Sequence, residues 1–456
     1  VSHTKLHYSD ENQRINRDLW LDTFDIKATG GSEENRQVTV AGRLDNESLQ
    51  IDGTATVLGN DTVAISLDLS LGSASGSVHG DVSDLMNGGN ANLSLDFSSS
   101  DAAQTVKLLL PRLSALSSEM LAGSATVSAS LVGRLDHNIR LENIAVNLEA
   151  DLLELKANGG LDLFSQDSPK LIPSAELEVS VKTKNFQPLV HAFGGRSSFS
   201  GPARAEGILR GSLNDFRLEN IELAATSEFA QLEGKGRLEK LGSPEGSSVD
   251  LSAKLKSNQI ARVLLAHDLK LPIDGSAEAS VRVTGMSREL MVEDIHIELF
   301  SPSLNFTAAG KIGPMGKNAQ YDLSFDTDTK NLGMLTEFFE FNLPPNFGSS
   351  ATGRLVGGKN DLYLTGLAID LRSKKTLVQA TGSIGPLGKS AMFKMPFEVR
   401  TTELSQLLAF IGFDSPISAV VSAKGIVTGS KRDLSIDGLT VDARNNIGRV
   451  GVSGAL

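Results

Sequence analysis

Leu141-Glu-Asn-Ile144, Leu218-Glu-Asn-Ile221, Val292-Glu-Asp-Ile295, Leu364-Thr-Gly-Leu367 and Ile436-Asp-Gly-Leu439 are five versions of one quartet, with last residues 77, 74, 72 and 72 positions apart. Upstream of four of them stand glycines ten residues apart: Gly123 and Gly133, Gly201 and Gly211, Gly275 and Gly285, Gly348 and Gly358. In the fifth copy Gly429 remains and Ala419 takes the other place. Downstream, Lys311-Ile-Gly-Pro-Met-Gly-Lys-Asn-Ala returns 72 residues later as Ser383-Ile-Gly-Pro-Leu-Gly-Lys-Ser-Ala. Three landmarks that keep step along the chain mark a repeat protein. The repeats divide it into a diverged or partial β unit at 1–90, then units at 91–170, 171–245, 246–316, 317–388 and 389–456.

Each unit opens on a strand. Val249, Leu251, Ala253 and Leu255 alternate with Asp250, Ser252, Lys254 and Lys256, the period-two pattern of a strand with one wet face. A short amphipathic helix follows, with apolar stripes at Val106/Leu109/Leu110/Leu113, Phe186/Leu189/Val190/Phe193, Ile260/Val263/Leu264/His267, Leu332/Leu335/Phe338/Phe339 and Leu404/Leu407/Leu408/Ile411. Asn258, Asn331 and Thr402 stand where an N-cap is wanted. About four more strands complete the unit. The expected fold is mainly β: an elongated, curved antiparallel sheet, gutter-like, of about five repeats, each of about five strands and one helix.

Composition narrows the function. A hydrophobic content of 40% supplies a core, and Gly, Ser, Thr, Asp and Asn spread along the chain suit many tight turns. The net charge of -12 disfavours nucleic acid and anionic membrane surfaces. Absence of cysteine excludes disulfides and thiolate metal sites and is compatible with an oxidising compartment. No apolar run of about 18 residues reads as a membrane helix, and Val1 to Tyr8 does not read as a signal peptide. A start at Val1 is expected of a processed or trimmed piece.

An area estimate points to what the repeat does. Five strands of about seven residues present roughly 550 Å² on one face, whereas a helix of about ten residues covers about 150 Å². The remaining apolar surface must close on itself, meet a second sheet, or hold an apolar ligand. About 25 stacked strands would give a rod of about 120 Å and a channel along it. Acyl chains suit such a channel, since each CH₂ kept from water is worth about 0.8 kcal/mol. The alternation names the lining: Leu177, Val179, Val181, Ile221, Leu223, Val249, Leu251, Leu255, Ile295, Ile297, Leu299, Tyr321, Leu323, Phe325, Leu367, Ile369, Leu371, Leu439 and Val441.

Thr183-Lys-Asn-Phe-Gln-Pro-Leu-Val-His-Ala-Phe, Gly201-Pro-Ala-Arg-Ala-Glu-Gly-Ile-Leu-Arg-Gly, Leu218-Glu-Asn-Ile-Glu-Leu and Leu232-Glu-Gly-Lys-Gly-Arg-Leu follow one another in the second unit. This run resembles the C-terminal repeats of AsmA-family proteins, as does the later copy from Thr402 through Leu439, and the resemblance covers roughly residues 91–456. It implies a bacterial envelope protein of the repeating-β-groove type, in the periplasm, conducting phospholipid between inner and outer membranes. It further implies an inner-membrane anchor on an N-terminal segment absent from this chain, and membrane proteins as partners at its ends. The family offers no catalytic residues to carry over.

Other chemistry has a plainer explanation at each place. Gly382-Ser-Ile-Gly-Pro-Leu-Gly-Lys-Ser390 ends like a phosphate loop, but its spacing is wrong and it recurs as part of the repeat, so a turn between strands is expected. His3 and His7 could share a metal only on a helix, with no third ligand near. Glu176 and Glu178 alternate with Leu177 and Val179, as on a solvated strand face rather than in an acid/base pair. The expectation is therefore a non-enzymatic lipid carrier with no cofactor, no metal and no nucleic acid. Its competitors are a scaffold of tandem β-sandwiches with a dry core, a lipid-modifying enzyme, and an assembly factor that receives outer-membrane protein strands by β-augmentation.

Overall fold

The computed structural model describes residues 2–10, 15–28, 35–59, 61–109, 121–165, 174–192, 199–212, 215–241, 246–265, 273–316, 318–332, 347–358, 360–387, 391–405, 419–430 and 433–455. Strands make up 74% of the structure and helix 7%, so the class is mainly β. The described strands belong to one open antiparallel sheet of 26 strands. Tandem sandwiches would need a second sheet in each copy, and the strands supply one.

The chain divides into two compact units, Val1–Glu228 with Gly234–Ser247, and Phe229–Glu233 with Ser248–Leu456. The first begins with β1 (Ser2–Asp10), β2 (Ile15–Ala28), β3 (Asn35–Leu44), β4 (Glu47–Val57), β5 (Val63–Leu71), β6 (Ala74–Ser83) and β7 (Asn90–Ser99). Helix α1 (Ala102–Leu109) then precedes β8 (Gly123–Arg134), β9 (Asn138–Ala150), β10 (Leu153–Ser165) and β11 (Ser174–Thr183). Helix α2 (Gln187–Ala192) precedes β12 (Ala203–Ser212) and β13 (Phe216–Thr226), and β14 (Gln231–Leu241) runs through the division.

The second unit continues with β15 (Ser248–Ser257), α3 (Ile260–Leu265), β16 (Ser276–Met286), β17 (Glu289–Phe300), β18 (Leu304–Gly313) and β19 (Gln320–Thr329). It finishes with β20 (Gly348–Gly358), β21 (Tyr363–Arg372), β22 (Thr376–Gly385), β23 (Met392–Thr401), β24 (Val420–Ser430), β25 (Leu434–Arg444) and β26 (Arg449–Gly454). From β1 to β13, and from β15 to β26, each strand pairs antiparallel with its neighbours in sequence. Four strands rather than about five separate α1 from α2 and α2 from α3. The strands run ten to thirteen residues, not seven, and so use up the period sooner.

The quartets have a backbone cause. Their third residues, Asn143, Asn220, Asp294, Gly366 and Gly438, have φ of 52°, 51°, 49°, 58° and 58°. Each is a left-handed residue at a β-bulge, where the register against the preceding strand slips, as between Ser128 and Ser130 or Lys424 and Ile426. Only Gly, Asn and Asp take up this conformation cheaply. The slip puts the first and fourth residues of the quartet on one face, although plain alternation would separate them.

Opposite Ile144, Ile295 and Leu367 stands a glycine in a strand: Gly159, Gly310 and Gly382 in turn. Their φ values are 152°, 150° and 151°, and Gly236 in β14 has 156°. A Cβ on Gly159, Gly310 or Gly382 would run into the carbonyl oxygen of Glu176, Asp322 or Lys394 on the next strand. Bulge and glycine together raise the local twist, and each unit's sheet is curved accordingly.

The strand that leads into each helical segment ends on a buried hydroxyl: Ser99, Thr183, Ser257, Thr329 or Thr401. Each accepts the backbone N–H two residues on, at 3.0–3.3 Å. This role falls one residue before Asn258 and Thr402 and two before Asn331, where caps were expected. The N–H of Phe186, Ile260, Leu332 and Leu404 then bonds the carbonyl of Gly201, Gly275, Phe347 and Ala419, each fifteen residues on. In the fourth copy the paired positions are therefore Phe347 and Gly357 (φ 117°), not Gly348 and Gly358. Of the expected stripes, Leu110, Leu113, Phe193, His267, Leu335, Phe338, Phe339, Leu407, Leu408 and Ile411 lie outside the described residues.

Gly310→Ala should lower the unfolding free energy by about 1–3 kcal/mol. Gly366→Asn, with nothing within 4 Å of an added Cβ and Asn at the same place in two sister copies, should cost under about 1 kcal/mol. Urea unfolding followed by circular dichroism checks both.

Candidate functional site

Register carries the apolar face from strand to strand. In the first unit Leu155, Ala157 and Gly159 of β10 face Val181, Val179 and Leu177 of β11, which in turn face Ala205, Gly207 and Leu209 of β12. Ala205 faces Leu223 of β13, and the bulge keeps Leu218 and Ile221 on the same side. In the second unit the row Leu255, Ala279, Ile297, Ala308, Phe325 and Gly353 crosses β15 to β20. Val249, Leu251, Ile295, Leu299, Tyr321, Leu323, Leu367, Ile369 and Leu371 share this face, as do Leu439 and Val441 further on. All nineteen expected lining residues thus lie on the apolar side of their own unit.

The face is not filled in. Ile295 (6% exposed) and Leu367 (5%) are buried, while the other seventeen are only half-buried. Four strands of about ten residues present roughly 600 Å², and a six-residue helix such as α3 covers about 90 Å² of that. The helices sit at one end of the strands. There Ala102 and Leu121 pack with Leu148 and Leu153, backed by Val106, Val181 and Leu189. In the second unit Ile260 and Ile273 are the fully buried side chains at that end. The middle of each face is the half-covered part.

That middle has relief. Odd-numbered strands carry bulky residues: Leu93, Leu95 and Phe97 on β7; Ile144, Val146 and Leu148 on β9; Ile295 and Ile297 on β17; Met395, Phe397 and Val399 on β23. Even-numbered strands carry small ones facing them: Gly76 and Gly80 on β6, Ala157 and Gly159 on β10, Ala205 and Gly207 on β12, Ala279 on β16, Ala308 and Gly310 on β18, Ala351 and Gly353 on β20, Ala380 and Gly382 on β22, Ala423 and Gly425 on β24. With strands about 4.8 Å apart, ridges recur about every 9.6 Å with a furrow one strand wide between them. Sequence reasoning omitted the small residues because an apolar lining was sought among large side chains. It also omitted Phe393, Phe397 and Val399 of β23, although they alternate with Lys394, Glu398 and Arg400 as clearly as any chosen strand.

The opposite face is charged and internally paired. Arg210 bonds Glu176 (2.7 Å) and Glu219 (3.1 Å), Arg282 bonds Asp250 (2.9 Å), Arg354 bonds Asp322 (2.6 Å), and Lys254 pairs with Glu278. Glu176 is thus a strand-face ion-pair partner. Hollows of about 510 Å³ by Pro396, Lys424 and Asp437, and about 710 Å³ by Arg282, Asp294 and Arg354, also open on this side, where bulges twist the strands. The paired charges of Arg282 and Arg354 make the second a poor place for an apolar ligand. Of the phosphate-loop-like run, Gly382 and Ser383 lie within β22, while Lys389 and Ser390 lie outside the described residues. His3 and His7 fall on strand β1.

No protein-family model, curated protein or solved structure matches this chain.

The Arg354 guanidinium, by its hydrogen bonds, holds the Asp322 carboxyl below its ordinary value of 3.8. A depressed carboxyl contributes stability that is present above its unfolded pKa and lost as the pH falls through the folded one. Arg354→Ala should raise the Asp322 midpoint in an NMR titration, while Arg282→Ala, which strips Asp250 instead, should leave it in place.

Proposed function

We propose that this protein binds phospholipids by their acyl chains on the apolar face of its sheet and passes them, chemically unchanged, between the inner and outer membranes of a bacterial envelope. The half-buried, ridged middle of the face carries this reading. A furrow one strand wide is close to the width of a single hydrocarbon chain, and its walls and floor are Leu, Ile, Val, Phe, Ala and Gly. Sixteen carbons sheltered there save more than about 10 kcal/mol relative to water. A head group can stay in solvent, so the lining needs neither charge nor fixed donors. The resemblance of residues 91–456 to AsmA-family repeats supports the periplasmic setting, an inner-membrane anchor outside this chain, and membrane proteins at its ends.

Mass spectrometry of an organic extract of the detergent-free protein tests the reading. Several phospholipid molecules per chain are expected, and a clean extract sinks it. Two kinds of variant locate the lipid. Leu323→Glu and Ile297→Glu place an unpaired charge among apolar neighbours; because both sites are half-buried, the variants should fold but retain less than about a tenth of the lipid. Ala351→Phe and Ala380→Phe, on either side of Ile369, fill furrows without adding charge and should lower the lipid-to-protein ratio. Ser324→Glu, on the charged side, should leave the ratio unchanged.

A further inference from the structure

Of the nineteen lining residues, Tyr321 alone carries a hydrogen-bonding atom in its side chain. It stands one residue in from the helix-free end of β19, between Ile312 of β18 and Gly357 of β20. The residue is half-buried, and among the described residues its hydroxyl has no hydrogen-bond partner. The other two hydroxyls on the apolar side of the same strand are engaged. Thr327 donates to the carbonyl of Asn305 (3.2 Å) and Thr329 to that of Ser303 (2.8 Å).

The sister copies show what the position requires for folding. Val249, Tyr321 and Phe393 stand 72 residues apart and at one place in register, beside Gly285, Gly357 and Gly429. Ala175 holds the same place beside Gly211 in the first unit. An apolar group of any size therefore serves the fold there, and Phe393 shows that a ring is accommodated without a hydroxyl. Packing accounts for the ring of Tyr321 and leaves its oxygen free for another task.

The two ends of β19 differ. At the far end Thr329 (4% exposed), Leu332 (6%) and Phe347 (8%) are buried, and the N–H of Leu332 bonds the Phe347 carbonyl at 2.8 Å. A phosphate moved there would leave water with no free donor to meet it, a heavy cost for a charge. At the near end Pro314, Met315 and Gly316 of the neighbouring turn are exposed. Tyrosine, apolar in its body and polar at its tip, suits the line where an apolar face meets water.

We propose that Tyr321 is a head-group contact: its Oη–H donates to a phosphate oxygen of a phospholipid whose tails run along β18 to β20 toward Thr329. This rests on the lipid-binding reading and adds to it a fixed direction and depth. From Tyr321 to Thr329, β19 spans about 26 Å at about 3.3 Å per residue. One leaflet's hydrocarbon is about 15 Å deep, half of a bilayer core. Tails anchored at Tyr321 thus end near Phe325 and Thr327, in the half-covered middle and short of the closed end. A hydrogen bond to a charged oxygen is stronger than one to a neutral acceptor, so the phosphate rather than a glycerol ester sets the depth.

Photolabelling of the full, detergent-free chain, loaded from vesicles, tests the proposal with two phosphatidylethanolamines. One carries benzophenone on its amine, the other a diazirine at the end of one tail, and peptide mass spectrometry locates the labels. The head-group probe should mark Val292, Ile312 and Gly357, and the tail probe Phe306, Thr327 and Ala351. Tyr321→Phe, which copies the residue found at this place in the next unit, should fold normally and keep the tail label. It should cut head-group labelling of that row about tenfold. Phe393→Tyr should raise head-group labelling at Ile384 and Gly429 by a similar factor. Head-group label at Thr327, or a pattern unmoved by Tyr321→Phe, overturns this inference and leaves the lipid reading standing. A face that neither probe labels sinks both.

Discussion

Side chains on a strand alternate, so two apolar residues three positions apart face opposite ways unless the ladder slips by one residue. Every copy makes that slip, at Asn143, Asn220, Asp294, Gly366 or Gly438. Its cost is a left-handed residue, which explains why the third place of the quartet admits only Asn, Asp and Gly. Its result is that Leu141 with Ile144, and Val292 with Ile295, stay on one face. Without the slip, the strand beyond it would turn its charged residues to the apolar side. The glycines at Gly159, Gly310 and Gly382 stand opposite the slip, and a Cβ on each would meet a carbonyl oxygen of the strand on their other side. The continuity of one apolar face through each unit rests on this device.

Much of this was legible before any coordinates. Period-two alternation placed each of the nineteen expected residues on the apolar side of its own unit, because burial of a single face is what fixes register in a sheet. The quartet was visible as a spacing, but its backbone meaning was not: Asn in a strand pattern reads equally as a turn or a surface residue. That Gly159, Gly236, Gly310 and Gly382 keep the repeat spacing was overlooked, since an isolated strand glycine gives no sign of what lies across from it. The caps were displaced by one or two residues because a buried Ser or Thr ending a strand and a polar residue beginning a helix offer the same hydrogen bond to an orphan N–H. Strand count failed for a simpler reason: periodicity shows where a strand is, not how far it runs.

The charged side follows a rule of its own. Arg282 with Asp250, and Arg354 with Asp322, are diagonal cross-strand pairs 72 residues apart. Each is exposed and so adds little to stability. Paired charges along one whole side do, however, discourage that side from being buried against another protein or from accepting lipid. The two faces are thus told apart chemically as well as by shape.

The placement of the buried residues explains how an apolar face can remain half-covered in a stable protein. Packing is concentrated where the helices meet the strand ends, at Ala102, Leu121, Leu148 and Leu153 in one unit and at Ile260 and Ile273 in the other. Backbone pairing between neighbouring strands is local and continuous. Neither depends on what lies over Ile297, Leu323 or Ile369 in the middle of the face. Substitutions among Leu, Ile, Val and Phe there alter the relief of the surface and leave the core alone, and the copies do exchange these residues freely. A surface released from the task of holding the fold together is one on which occupancy can change repeatedly without unfolding, as a carrier of exchangeable lipid requires.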